Sequence, residues 1–417
     1  MSEPHTRRAV VTGIGVVAPN GTSTETFWKA TREGISVLDR VTREGCEHLP
    51  LRVAGEIRDF DPPSAVEERY LVQTDRFTHF AMAAADLAID EAGLNRSDTD
   101  ASPFSVGVVT AAGSGGGEFG QRELQQLWDK GSRYVGPYQS IAWFYAASTG
   151  QISIRRGFKG PCGVVAADEA GGLDALAHAA RAVRRGTDVL VAGATEAPLA
   201  PYSVVCQLGY EELSTEDVPE CAYRPFTSAA CGFVPAEGGA MLVVEADTSA
   251  RERGVPARAT LAGHAATFTG ASRWQQSREG LAQAIRGALE EAACAPEEID
   301  VVFADALGVP EADRAEALAI ADALGAHGRR VPVTAPKTAI GRGYCAAPVL
   351  DVAAAVLAME HGVIPPTPNV HDVCHDLDLV TTHARATELR TALVLSRGLM
   401  GSNSALVLRL GATDASQ

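Results

Sequence analysis

One segment of the sequence combines a strand, a tight turn and a helix in a way that could present a reactive side chain. An apolar run ending near Ala167 leads into small residues, and a helical pattern begins at about Leu173. Such strand–turn–helix elbows place one side chain at the N-terminus of a helix. Glu169 occupies the apex of this turn. The helix dipole favours a negative charge there, so we expect Glu169 to be a carboxylate.

Two glycine-rich runs could be taken for phosphate-binding loops, but their spacing excludes this. Residues 12–21 lack the third glycine of a dinucleotide fingerprint, and Pro19 stands where the phosphate-binding helix would begin. Residues 113–117 are followed by Glu118 and by no Gly-Lys-Ser/Thr sequence. We expect this second run to be a place where the chain passes close to another segment or to a ligand.

The composition excludes further classes of function. The 417 residues include 36 Lys and Arg against 52 Asp and Glu, and the formal charge of −16 opposes binding to nucleic acid or to anionic membranes. No apolar stretch approaches the roughly 18 residues that a membrane span needs. The eight cysteines show no CxxC spacing, and His371, Cys374 and His375 lack a second ligand pair. We therefore expect a cytoplasmic chain with neither a metal nor a cofactor.

The elements that must position Glu169 alternate along the chain in two series. Strands are predicted at residues 9–14, 105–110, 163–167, 188–193 and 239–244, and then at 259–263, 300–303, 331–335, 391–396 and 404–410. Helices are predicted at 77–92, 173–185, 281–293, 312–324 and 350–361. This alternation predicts an α/β protein with largely parallel sheets, built from an N-terminal half (1–255) and a C-terminal half (256–417).

The elbow resembles the active-site elbow of β-ketoacyl synthases of the thiolase fold, in which a cysteine stands at the apex. Five further segments resemble that family in the same order along the chain, namely residues 10–21, 223–226, 235–240, 364–367 and 401–405. The resemblance thus covers nearly the whole chain. It implies a thiolase-like α/β fold of two similar halves in a layered αβαβα arrangement.

The residues that carry the family's chemistry are altered in this chain. Glu169 replaces the cysteine, Leu307 and Arg342 replace two histidines, and Lys337 is retained. Leu399 stands in the loop that holds a gatekeeper phenylalanine in active members. Condensation needs a nucleophile that forms a thioester and donors that stabilise an enolate, so it should be absent. We expect this vestigial pocket to be closed by a hydrogen bond between Glu169 and Arg342, direct or through one water.

These departures are similar to those of the chain length factors, the ketosynthase β subunits of bacterial type II polyketide synthases. Residues 118–128 and 139–155 are close to the signature of that branch, although its members usually carry glutamine at the apex. The resemblance implies a non-catalytic chain that forms a heterodimer with a ketosynthase α subunit, walls the polyketide tunnel and sets chain length. Acyl carrier protein would be engaged mainly through the partner subunit.

Two other functions are alternatives to this interpretation. Glu169 and Lys337 could decarboxylate malonyl-acyl carrier protein to supply a primer, although the enolate would then form without either histidine. An NAD-dependent oxidoreductase is disfavoured because the glycine fingerprint fails.

The resemblance also assigns residues to a dimer interface. The strand that precedes the elbow is expected to pair antiparallel with the same strand of the partner, through Val164 and Val165. Trp143, Phe144 and Tyr145 are expected to pack nearby and to supply the aromatic area of a permanent interface. The alternative is that these aromatic residues belong to the ordinary core.

The end of the polyketide tunnel maps by motif onto Gly117, Gly120, Leu124 and Tyr202. Two glycines in place of larger side chains predict a deep tunnel and a long product, because bulky groups would stop growth by overlap. Tyr202 or a shifted backbone could refill that space. Alternatively, the glycines serve only the turn that enters the following helix.

Overall fold

The computed structural model describes residues 7–94, 102–270 and 274–411. In the N-terminal half the strands are β1 (Ala9–Val17), β2 (Asp39–Arg40), β3 (Val53–Ala54), β4 (Val106–Ala111), β5 (Cys162–Val165), β6 (Val189–Glu196) and β7 (Gly238–Ala246). The helices there are α1 (Thr24–Glu33), α2 (Pro62–Ala65), α3 (Glu68–Leu71), α4 (Arg76–Glu91), α5 (Gly117–Lys130), α6 (Gln139–Ala142), α7 (Ala147–Arg156), α8 (Gly171–Arg184), α9 (Pro201–Gln207), α10 (Pro219–Ala222) and α11 (Asp247–Glu252).

The C-terminal half repeats this alternation with fewer helices. Its strands are β8 (Ala259–Phe268), β9 (Val301–Phe303), β10 (Pro332–Thr334), β11 (Val363–Ile364), β12 (Asp378–Leu379), β13 (Arg385–Ala386), β14 (Thr391–Arg397) and β15 (Ser402–Leu410). Its helices are α12 (Trp274–Glu291), α13 (Pro310–Leu324) and α14 (Ala346–His361). All the strands and helices predicted from the sequence are present, with ends shifted by a few residues.

The two halves share one strand order. It is β5-β4-β6-β7-β1 in the N-terminal half and β10-β9-β14-β15-β8 in the C-terminal half, where β12 adds an outer strand beside β10. The halves join through a short antiparallel contact, in which Val10 pairs with Thr260 and Val11 with Ala259. The predicted pair of similar halves is therefore confirmed by the topology.

The prediction of largely parallel sheets is only half right. The pairs β4–β5, β4–β6, β9–β10, β9–β14 and β10–β12 are parallel, whereas β6–β7, β7–β1, β14–β15, β15–β8 and β1–β8 are antiparallel. The cause is visible at β14 and β15, which are joined by only the four residues 398–401. That connection is too short for the crossover that a parallel pair requires.

The layers form around two central helices. Helices α8 and α14 contact each other and lie between the sheets of the two halves, α4 and α7 cover the outer face of the N-terminal sheet, and α12 covers the outer face of the C-terminal sheet. From Ala346 to Met359, every residue of α14 is buried, as expected for a helix that is apolar on all sides. This is the predicted αβαβα arrangement. In the described part of the chain, no helix has both the length and the apolarity to cross a bilayer.

Candidate functional site

The elbow joins the edge strand β5 to the central helix α8. Glu169 lies two residues before α8 and is only 4% exposed. Its Oε2 accepts a hydrogen bond of 2.9 Å from the backbone N–H of Leu399, in the loop between β14 and β15. The neighbouring carbonyl of Asp168 accepts a hydrogen bond from the thiol of Cys345, at 3.1 Å. The elbow is therefore fixed from the C-terminal half on two sides.

The electrostatics of Glu169 differ from the expectation based on the helix dipole. Burial raises the pKa of this carboxyl above its usual range, although Arg342 and the hydrogen bonds from backbone N–H groups act in the opposite direction. Desolvation has a larger effect on this pKa than the interactions that stabilise the carboxylate, because the group has almost no contact with water. The net shift of the Glu169 pKa is therefore opposite to the effect of the helix dipole, and the ionised form of this group stays a prediction.

Leu307 and Lys337 close the pocket in different ways. Leu307 is fully buried in an apolar cluster with Tyr223 and Phe233, against which Leu399 also packs. Lys337 is almost fully buried, and its Nζ lies 2.5 Å from Oδ2 of Asp351 and donates to the Asp305 carbonyl at 3.2 Å. Neither side chain is left facing an open cavity as a substrate group would be.

The hydrogen bond predicted between Glu169 and Arg342 is not formed directly, and its form through one water stays a prediction. Arg342 Nη1 instead pairs with Oδ1 of Asp305 at 3.0 Å, and Nη2 donates to the carbonyl of Arg397. Asp305 lies among Arg342, Arg397 and Lys337, and these cations outweigh the effect of burial and hold the pKa of Asp305 below its usual range. Arg342 still lowers the pKa of Glu169 through space.

Arg342 belongs to a group that we call the buried charge cluster, which consists of Asp305, Glu316, Lys337, Arg342, Asp351 and Arg397. All six side chains are nearly inaccessible to water. Arg397 Nε lies 3.3 Å from Asp305 Oδ2, and its Nη2 lies 3.0 Å from Glu316 Oε2. Burial raises the pKa of Asp351 to about 6, against the opposing effect of Lys337. Three cations thus stand among three acidic groups, as buried charges require.

Four members of the cluster were not predicted from the sequence, namely Asp305, Glu316, Asp351 and Arg397. A usable signal was present, because Asp305 and Arg397 each come at the end of an apolar strand. Those strands, β9 and β14, are parallel neighbours, with Phe303 beside Val394. Residues that follow parallel neighbours meet at one edge of a sheet, and the backbone N–H of Arg397 indeed donates to Asp305 Oδ1 at 3.0 Å.

A cleft of about 460 Å³ opens beside Leu399 and the neighbouring loop glycines. Glu211, Glu212 and Glu311 line it, and none of the described lining residues is a lysine or arginine. Among the described residues, no group of three or more His, Cys, Asp or Glu side chains is arranged to hold a metal ion. The described side chains that line this cleft beside Leu399 therefore carry net negative charge.

The four residues assigned to the tunnel lie together on the pair of helices α5 and α9. A Cβ atom on Gly117 would collide with Ser203 Oγ, and one on Gly120 would lie 3.2 Å from the Trp143 ring. Leu124 and Tyr202 are exposed. The Tyr202 backbone N–H donates to the Gln121 side chain at 2.8 Å, which ties α9 to α5.

The residues assigned to the dimer interface lie at the edge of the sheet. Strand β5 pairs only with β4 within the described chain, so its outer edge is open. Val164 is 39% exposed, and Val165 is half-buried. Trp143 and Phe144 are 51% and 53% exposed, whereas Tyr145 is half-buried against the N-terminal core. The two exposed rings are therefore not ordinary core residues of the single chain.

A five-layered α/β fold with two like halves, and an elbow between the first sheet and a central helix, defines the class of condensing enzymes built on the thiolase fold. The family models agree: the β-ketoacyl synthase N-terminal domain matches residues 6–250, and the C-terminal domain matches residues 258–371. The chain belongs to the β-ketoacyl synthase family.

Within this family, the chain is similar to proteins named as a polyketide beta-ketoacyl synthase or as a subunit of a polyketide synthase. A Streptomyces coelicolor protein named "Putative polyketide beta-ketoacyl synthase 2" is 76% identical over 406 residues, covering 97% of this chain and 96% of its own. The tetracenomycin polyketide synthase ketoacyl synthase beta subunit of Streptomyces glaucescens is 50% identical, covering 96% and 98%. The solved ishigamide ketosynthase/chain length factor superposes with a TM-score of 0.88 at 27% identity, covering 97% of this chain and 99% of the other.

Proposed function

We propose that this chain is the chain length factor of a type II polyketide synthase, a subunit that performs no condensation itself. The observation that carries the proposal is the closed pocket. Glutamate stands at the apex of the elbow, and the buried charge cluster fills the region behind it with mutually paired groups. Carboxylate, leucine and a fully engaged arginine can neither hold an acyl thioester nor exchange the protons of a condensation.

The catalytic partner would be a ketosynthase α subunit bound across β5. An open strand edge with exposed apolar residues beside it favours continuation of the sheet into a second chain. Trp143 and Phe144 supply exposed aromatic area of the kind that permanent interfaces bury. The similarity to a ketoacyl synthase beta subunit and to a ketosynthase/chain length factor structure supports this pairing.

The tunnel for the growing chain would run along α5 and α9 and be completed by the partner. Gly117 and Gly120 add no side chain to α5 where it lies beside Ser203 and Trp143, and Leu124 and Tyr202 present apolar surface that a second chain would cover. We infer a deep tunnel and a product that is long for its class. Acyl carrier protein would dock mainly on the partner, and both subunits would work in the cytoplasm, where the eight free cysteines would stay reduced.

No observation favours the alternative in which Glu169 decarboxylates malonyl-acyl carrier protein. The malonyl carboxylate is an anion, and three glutamates line the cleft that leads to Leu399. The Glu169 carboxyl is already bonded to the Leu399 N–H, and Lys337 is bonded to Asp351.

Co-expression with and without a ketosynthase α subunit tests the proposal. We expect a stable heterodimer, with polyketide formed only when both chains are present. Incubation of the heterodimer with a radiolabelled malonyl or acetyl donor should label the partner and leave this chain unlabelled. Acyl label on this chain, or product formed by this chain alone, would overturn the proposal.

A further inference from the structure

Helix α5, which carries three of the proposed tunnel residues, begins without a cap of its own. Its N-cap residue is Gly116, which has no side chain to accept a bond from the first-turn N–H groups. Such groups must find partners elsewhere when they are buried. The N–H of Phe119, in this first turn, donates instead to Oδ2 of Asp75 at 2.7 Å. The cap of α5 therefore comes from a residue 44 positions away.

Asp75 serves two helices at once. It is the N-cap of α4, and its Oδ1 accepts from the N–H of Phe77 at 3.2 Å. The residue is 2% exposed, so no water replaces either bond. Burial raises the pKa of Asp75 to about 7, although both N–H donors oppose that shift. The two carboxylate oxygens thus lock the start of α5 to the start of α4, which lies in the core of the N-terminal half.

The loop that leads into α5 is anchored by a second buried acid. Glu196, at the end of β6, accepts bonds from the N–H groups of Gly113 (2.5 Å) and Ser114 (3.1 Å) and from the Ser114 hydroxyl. Gly116 then passes so close to Ala142 that a Cβ atom would collide with its carbonyl oxygen. This confirms the expectation that the glycine run is a close approach of chain to chain. Glu196 and Asp75 thus anchor the loop and the first turn of α5 to the N-terminal core, while Leu124 on the outer face of the helix stays exposed.

We propose that Asp75 is a positioning residue for the tunnel: by capping α5 it fixes where Gly117, Gly120 and Leu124 stand, and so it sharpens the length of the product. This inference rests on the proposed function, because it assumes that α5 lines the tunnel. It assigns to a residue with no access to the tunnel a role in product specificity.

The substitution Asp75→Ser separates the two bonds. Serine is as good an N-cap as aspartate, so it keeps the bond to Phe77, but its short side chain cannot also supply a second oxygen to Phe119. With the ketosynthase α subunit present, we expect intact heterodimer but a mixed product. The ratio of off-length to main-length polyketide should rise about fivefold or more, since the loss of one buried hydrogen bond shifts a two-state balance by about that factor.

The matched control is Ser23→Ala, which removes the N-cap bond to Thr26 in α1, a helix that packs on β1 and α14 rather than on α5. It costs a cap of similar kind and should leave the product lengths unchanged. If both variants lower yield without changing the length ratio, Asp75 is merely structural and the inference fails. In that case heterodimer formation and wild-type product remain, so the proposed function stands.

A second variant keeps the inference testable if Asp75→Ser does not fold. Asp75→Asn likewise retains only one acceptor oxygen and turns an NH2 donor toward the other N–H, so its length ratio should rise at least as much as that of Asp75→Ser. Hydrogen–deuterium exchange of the heterodimer supplies a readout independent of activity: the first turn of α5 should exchange faster in both Asp75 variants and at the wild-type rate in Ser23→Ala. Unchanged exchange in α5 would overturn the capping role.

Discussion

Two regions of this molecule treat charge and apolar surface in opposite ways. The buried charge cluster holds three cations and three acidic groups away from water, each within an ion pair. The face formed by α5, α9 and the edge of β5 instead exposes apolar side chains, among them Trp128 at 82%. Neither feature by itself stabilises the single chain, because burying charges costs desolvation free energy and exposed aromatic rings favour association with other molecules.

The difference shows how a subunit can lack the residues of condensation and still present a surface that binds a partner chain. The cations Lys337, Arg342 and Arg397 are paired with acidic groups of the buried charge cluster, so none of these three is left over to bind a substrate. The outer face exposes apolar side chains and an unpaired strand edge in the single chain, so we expect a partner chain to cover it. The buried charge cluster is therefore expected to govern the stability of this chain, whereas the outer face is expected to govern assembly and product.

The largest expected effect is on assembly. Val164→Glu places a carboxylate on the open edge of β5, and its burial without a partner charge should weaken the heterodimer about a hundredfold or more. The matched control is Ile35→Glu, which changes another exposed β-branched residue, beyond the end of α1. Analytical ultracentrifugation of the purified pairs measures both affinities. Equal affinities in the two variants would show that β5 is not the interface.

The next effect is on stability. Arg342→Met removes one member of the buried charge cluster and leaves Asp305 with less compensation, which should cost about 3–5 kcal/mol of unfolding free energy. The control Arg278→Met breaks the exposed pair of Arg278 and Asp322, whose charges stay in water, and should cost far less. Urea unfolding measures both. Similar midpoints for the two variants would mean that the cluster does not act as a unit.

Much of the fold and of the vestigial pocket could be predicted from the sequence, because both leave signals in short local segments. Short segments of sequence were enough to place Glu169 at the apex and to show that Leu307 and Arg342 replace the two histidines. They also gave the succession of strands along the chain in each half. The alternation of strand and helix patterns predicted an α/β chain of two halves, and the family resemblance supplied the layered arrangement, whereas the direction of β7 and β15 was not predicted. The division between the halves at residues 255 and 256 stays a prediction.

What could not be predicted depends on contacts between distant segments. Asp305 and Arg397 are 92 residues apart and meet only because β9 and β14 are neighbours in the sheet. The choice of Asp305 over Glu169 as the partner of Arg342 turns on how many cations surround each acid, which no spacing reveals. The cap that Asp75 gives to α5 was equally invisible for the same reason.

A smaller effect is expected on product length alone. Gly120→Thr adds a side chain beside the Trp143 ring, and it should shift most of the product to shorter chains while the heterodimer still forms. Gly120 tests the tunnel more cleanly than Gly117, where any side chain strikes Ser203 first. Gln125→Thr changes an exposed residue of the same helix and serves as the control. Mass spectrometry of the products decides: unchanged lengths at normal heterodimer yield would refute the gating role.

The smallest effect is expected at the apex itself. Glu169→Gln keeps an oxygen for the Leu399 N–H and forms no acyl intermediate, so product length and yield should match those of the wild type. Stability should differ only in its pH dependence. Because burial raises the pKa of Glu169, the folded chain binds that proton more tightly than the unfolded chain, and the wild type loses stability as the pH rises above the usual range of a glutamate. The variant lacks this loss, so urea unfolding at about pH 5 and about pH 8 should show a smaller decline for it than for the wild type or for a change at the exposed Glu252, Glu252→Gln. A steeper decline in Glu169→Gln would mean that the folded chain holds the apex as a stabilised carboxylate after all, and that the vestigial pocket retains the electrostatics of a working site.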